Sequence, residues 1–169
     1  MSPHLEMTEQ TNAIDVCDMQ SHVRIDASVV RDWVARVLAR EGRVCGEVSI
    51  VIVDDAAIQR INAQFLGHDW PTDCVTFPMD GPEEEALSGE VVVSAEMAIR
   101  QAPLHGMSTE AELALYVIHG LLHLCGCDDV TEADRDEMRR REAIHLAAFG
   151  LGFVDRASSL ADGGMPCPA

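Results

Sequence analysis

No lysine occurs anywhere in the 169 residues: all 12 basic side chains are arginine, set against 29 acids for a formal charge of −17. Such an excess of acid argues against generic nucleic-acid binding, because phosphate contacts need local positive charge. It leaves that ligand class open only where arginines gather, and arginine is the better bidentate phosphate ligand. Aromatics make up only 4% of the chain, so aliphatic side chains must do most of the packing. No apolar run approaches the roughly 18–20 residues of a membrane span, which predicts no membrane attachment. The first 20 residues contain acids but no arginine, and lack the basic and apolar stretches of a secretory signal. The expected location is therefore the cytoplasm. Six cysteines are present without any C-x-x-C spacing, and reduced thiols are the expectation there.

What is present suits a single domain, since 47% of the residues are apolar. Residues 1–20 read as a flexible polar leader, 21–156 as the domain and 157–169 as a flexible tail rich in small residues. Val30, Trp33, Val34, Val37 and Leu38 fall on one helical face, with Asp26 or Ser28 as cap and Gly42 as terminator. Val48 to Val53 is a β-branched run that predicts a strand. Asp54 opens a second helix bearing Ile58, Ile61 and Phe65 and closed by Gly67. A turn leads to a short strand, Cys74 to Phe77; Pro78 to Ser88 reads as an acidic loop, and Glu90 to Val93 as a buried strand. Ser94 caps a short helix ending near Gly106, and Thr109 with Glu112 makes a capping-box pattern for a helix apolar on most sides. Thr131 caps a last helix whose expected apolar face is Ile144, Ala147, Ala148 and Leu151. Helices and strands mix without repeat or linker, which predicts an α+β fold: a small mixed sheet covered by helices, with the site at the end of the central helix.

That site is the segment His119-Gly-Leu-Leu-His123-Leu-Cys-Gly126-Cys-Asp128-Asp129. Histidines at i and i+4 lie one helical turn apart on nearly the same face. Gly126 permits a positive φ that turns the chain back, and Asp129, six residues after His123, can return to the same point. Three protein ligands with one position left for water is the pattern of a catalytic zinc. Such an ion lowers the pKa of its water toward about 7. The plainer alternative is a pair of hydrogen-bonded core histidines. Metzincin-like peptidases share the spacing, but they need a glutamate after the first histidine as general base, and Gly120 stands there.

The same segment resembles the YbeY endoribonuclease signature H-G-x-L-H-L-x-G-Y-D-H. Two more blocks agree. Asn62-Ala-Gln-Phe65-Leu66-Gly67-His-Asp69-Trp-Pro71-Thr72-Asp73-Cys-Val75-Thr76-Phe77-Pro78 is similar to N-x-x-[FY]-[RL]-G-x-D-x-P-T-D-V-L-S-F-P, and Gly89-Glu90-Val-Val-Val-Ser94 to G-[DE]-[IV]-x-I-[SC]. The blocks occur in the family's order, and the resemblance spans residues 47–153. It implies a metal-dependent endoribonuclease acting on single-stranded ribosomal RNA, with one zinc per chain. It also implies trimming of the 16S 3′ end, ribosome quality control and contact with ribosomal particles. Two positions depart from the pattern: Asp129 replaces the family's third histidine, and Leu66 its frequent arginine.

The candidate metal ligands are thus His119, His123 and Asp129. The candidate catalytic residues are His119 and Asp128, the latter as a carboxylate orienting a ligand histidine or, more plainly, a solvated turn acid. Thr72, Asp73 and Thr76 are candidate substrate-binding residues, the alternative being that Thr72 and Asp73 bond their own turn. Cys125 or Cys127 could supply a thiolate in place of Asp129, though the family position favours the aspartate. Arg135, Arg139, Arg140 and Arg141 are the one dense basic cluster, read as a solvated face paired with Asp136 and Glu137 or as a phosphate path. The reading of another class is a ribosome-associated binding factor with a structural metal.

Overall fold

Alternation of apolar residues along the strands decides how the layers stack. In the computed structural model, which describes residues 13–81 and 83–152, four strands pair in the order β1-β2-β4-β3. They are β1 (Ile14–Asp18), β2 (Val44–Val53), β3 (Cys74–Pro78) and β4 (Ala86–Ser94). Strands β1, β2 and β4 run parallel and β3 is antiparallel to β4, giving the expected small mixed sheet. Val48, Ile50 and Ile52 of β2, with Leu87, Val91 and Val93 of β4, point to one face and enter the main core. Val51, Val53, Val75, Phe77 and Val92 point to the other face, where they meet Ile58 and Ile61 of α2 (Asp55–Leu66).

The main core is closed by α1 (Ala27–Arg40), α3 (Ala95–Gln101) and α4 (Thr109–Leu124), with α5 (Glu132–Ala148) packed outside α4. Helix α4 is apolar nearly all round, so it must be enclosed on all sides; Leu113, Leu115, Tyr116, Val117, Ile118, Leu121 and Leu122 are all buried. Each fully buried Leu or Ile contributes about 1.5–3 kcal/mol relative to exposure. Gly120 allows the close approach of α4 to the sheet: a Cβ there would lie 2.4 Å from Val91 Cγ1 and 2.8 Å from Cys74 Sγ.

The observed elements correct several expectations. Residues 14–18 of the supposed leader form β1, paired with Val48 to Ile52. Ile14 and Val16 alternate half-buried with exposed Asp15 and Cys17, and this short edge pattern is masked by its polar neighbours. Residues 1–12 and the tail 157–169 lie outside the described residues. Strand β2 begins earlier, at Val44, across an irregularity between Cys45 and Val48, and β4 shortens the acidic loop by starting at Ala86. Asp26, Asp54, Ser94 and Thr131 cap their helices as expected. The cap of α4 is Ser108, whose hydroxyl accepts from the Ala111 N–H; Glu112 instead faces inward, with His105 Nδ1 at 3.0 Å. On α5 the buried residues are Met138, Glu142, His145 and Leu146, while Ala147 and Ala148 are exposed. The inward face is rotated from the one hydropathy suggested because it carries two polar groups with partners waiting in the core.

Candidate metal centre

The local sequence at the end of α4 builds a helix stop that aims a carboxylate back at the helix. The Gly126 N–H donates to the His123 carbonyl at 2.9 Å, and the Cys127 N–H to the Leu122 carbonyl at 3.0 Å. With Gly126 at φ 95°, these are the two bonds of a Schellman motif. Asp128 then accepts the Asp129 N–H at 2.8 Å, and Arg135 of α5 ties down the carbonyls of Asp129 and Val130 at 3.3 and 2.6 Å. The loop delivers Asp129 Oδ2 to 3.5 Å from His123 Nε2 and 3.9 Å from His119 Nε2; the two imidazole nitrogens are 3.0 Å apart.

Three potential ligand atoms at these separations fit one ion. The point equidistant from them lies about 2.0 Å from each by triangle geometry, which matches the bond lengths zinc takes to imidazole nitrogen and carboxylate oxygen. His119 is also prepared electronically. Its Nδ1 lies 2.7 Å from Glu142 Oε1, a carboxylate only 6% exposed. Nδ1 donating to that carboxylate keeps the proton on Nδ1 and leaves the Nε2 lone pair facing the ion position. Burial pulls the His119 pKa down, but the hydrogen bond and charge of Glu142, helped by Asp73 and Asp129, outweigh it and the pKa rises.

A cavity of about 140 Å³ opens over this group, lined by Asp73, His119, Asp129, Arg135, Arg139 and Glu142 among others. One water occupies about 30 Å³ of liquid, so solvent and part of a substrate have room beside the ion position.

The remaining candidates sort clearly. Asp128 is exposed and bonds its own turn; the carboxylate placed against His119 is Glu142 instead. Of the three substrate candidates, Asp73 reaches the cavity. Its Oδ1 also accepts the Cys74 N–H at 2.8 Å and the Thr72 hydroxyl at 3.1 Å, so the side chain bonds its own turn while lining the cavity. Thr72 supports Asp73, and Thr76 sits under Gly120 at the contact of β3 with α4. The cysteines turn toward α1 and α5: Cys127 Sγ lies 3.5 Å from Arg141, and burial, with Glu41 nearby, pushes the Cys125 thiol up to about 11. Neither joins the group that His119, His123 and Asp129 form. No glutamate fits at position 120 without displacing Val91 and Cys74, which removes the general base a metzincin-like peptidase needs. Leu66 is 52% exposed at the end of α2 and does not line the cavity.

Glu142 is the residue that sequence reading missed. Its signal was an acid on the same helical stripe as Met138 and Leu146, where an unpaired carboxylate would be costly.

Known proteins resemble this chain over most of its length. Residues 15–150 match the family model described as endoribonuclease YbeY. A protein of that name from Carboxydothermus hydrogenoformans is 37% identical over 145 residues, covering 86% of this chain and 99% of its own. One from Protochlamydia amoebophila is 39% identical over 135 residues, 79% of this chain and 90% of its own. A solution structure of a Thermotoga maritima protein superposes with a TM-score of 0.55 at 22% identity, over 92% of this chain and 99% of that one, which supports the fold.

Proposed function

From the premise that this chain belongs to the YbeY endoribonuclease family, we propose that it is a zinc-dependent endonuclease of single-stranded RNA. In this reading it trims the 3′ end of 16S ribosomal RNA and serves ribosome quality control, acting on ribosomal particles in the cytoplasm. Among the described residues no helix is long and apolar enough to cross a membrane.

The observation that carries the reading is the convergence of His119 Nε2, His123 Nε2 and Asp129 Oδ2 on one ion-sized point beside an open cavity. A bound zinc supplies Lewis acidity, acidifying water and polarising a phosphoryl oxygen. The chain does the rest. Glu142 holds the His119 proton on Nδ1, so that Nε2 stays a ligand. The Schellman turn and Arg135 hold Asp129 in place. Asp73 presents a carboxylate whose Oδ2 carries no hydrogen bond among the described residues, and which serves as acceptor for a hydroxyl hydrogen in the cavity.

The test is incubation of zinc-loaded protein with single-stranded RNA. Cleavage is expected from the wild type and not from His119→Ala or Asp129→Ala; equal products from all three would end the reading. The formal charge of −17 favours one alternative, a ribosome-associated factor in which the metal is structural. Co-sedimentation with ribosomal particles, retained by the ligand variants while no RNA is cut, would select it.

A further inference from the structure

The nuclease reading leaves an electrostatic problem. The cavity holds the carboxylates of Asp73, Asp129 and Glu142, and a phosphodiester brings another negative charge. Among its lining residues the cations are Arg135 and Arg139, four positions apart and so on one face of α5. The arginine cluster splits by helical phase. Arg140 pairs with Glu137 at 2.7 Å, and Arg141 bridges Glu137 at 2.8 Å and Glu41 at 2.7 Å; neither lines this cavity.

The two cavity arginines differ in what they leave free. Arg135 commits one nitrogen, NH1, to the carbonyls of Asp129 and Val130. Arg139 is 32% exposed and uses only NH1, in a 3.0 Å pair with Asp136, itself 67% exposed. Its Nε and NH2 make no bond among the described residues. An exposed pair of this kind is weak and readily exchanged, whereas a planar guanidinium matches two phosphate oxygens at once.

We infer that Arg139, seconded by Arg135, is the phosphate-binding residue of the metal cavity, holding a backbone phosphate of single-stranded RNA against the centre. This rests on the nuclease reading for its ligand class, and it places the local positive charge that so acidic a chain needs for phosphate on the α5 side of the cavity. Arg139 acts on substrate only. Arg135 has a double duty, because its loss also frees the loop that carries Asp129.

The experiment uses the zinc-loaded full chain and a fluorescein-labelled 2′-O-methyl RNA single strand that resists cleavage, with Kd read by anisotropy across a salt series. Arg139→Gln is expected to weaken binding about tenfold, as loss of a charge-assisted contact does. It should also flatten the slope of log K against log salt by about 0.7, the release expected for one phosphate on a single strand. Zinc should remain at one per chain. Arg139→Lys is expected to keep the slope and recover part of the affinity, and Arg140→Gln to bind as the wild type does. Wild-type affinity and slope in Arg139→Gln would overturn the inference, as would a wild type that does not bind the strand. Cleavage of unmodified RNA is followed in parallel. A wild type that binds with the predicted Arg139 dependence but never cuts would remove the nuclease reading and leave the phosphate site standing.

Discussion

Helix α5 contributes a carboxylate and an imidazole from neighbouring positions of its inner face, and the two end in opposite circumstances. Glu142 reaches the Nδ1 of His119, whose Nε2 then faces His123 and Asp129 across a gap of ionic size. His145 reaches Glu41 of the α1 end at 2.8 Å, and Arg141 covers the other carboxylate oxygen at 2.7 Å. Both are histidine–glutamate pairs at the α5 packing surface. In the second, the imidazole nitrogen facing its neighbours is already satisfied and the ring is 1% exposed. In the first, the other nitrogen of His119 faces His123 Nε2 at 3.0 Å and Asp129 Oδ2 at 3.9 Å beside the cavity. Composition does not separate the two pairs; the difference is that His119 Nε2 gathers further potential ligand atoms beside an open cavity, while His145 ends against a largely buried carboxylate.

That contrast is broken most severely at the ligands. His119→Ala and Asp129→Ala should abolish both zinc binding and RNA cleavage, measured by elemental analysis and by product formation. The His145–Glu41 pair should respond in stability instead: because Arg141 still covers Glu41, His145→Ala is expected to cost about 2 kcal/mol of unfolding free energy, as truncation of a buried side chain with loss of its hydrogen bond does. Its zinc content should be unchanged. Glu142→Gln sharpens the comparison, since it keeps the shape and removes the charge that orients His119. Zinc affinity should fall about 10- to 100-fold by competition titration.

Acidity gives a smaller, signed test. The folded His119 pKa is raised above its ordinary 6.5, mainly because Glu142 overcomes burial. In metal-free protein this stabilisation is fully present below about pH 6.5 and is lost as pH rises through the raised folded value. Zinc needs the unprotonated ring, so its affinity should instead fall as pH drops through that same value. Relative to Glu142→Gln, the metal-free wild type should therefore gain Tm on acidification from pH 8 to 6.5, while the zinc-loaded wild type loses part of its metal-induced Tm increment.

Much of this was legible in the chain. The β-branched runs fell inside strands, four helix caps were readable from Asp26, Asp54, Ser94 and Thr131, and the His119, His123 and Asp129 spacing foretold convergence. What was hidden depended on partners distant in sequence. Strand β1 exists because β2 offers it an open edge, a fact that lies 34 residues away from Ile14 in the register with Val48. Glu142 and His145 share an inward stripe with Met138 and Leu146, but what a polar group does there shows only once His119 and Glu41 are placed opposite them. Asp128 and Asp129 are chemically alike as a dipeptide, and only the turn geometry sends the second to the histidines while the first caps the turn.

In the proposed function two imidazoles and one carboxylate hold a single cation. Metal content per chain, determined on protein purified and then exposed to equimolar zinc, tests it most directly. One zinc is expected in the wild type and in His145→Ala, and none in His123→Ala or Asp129→Ala. Full retention in the two ligand variants would contradict it.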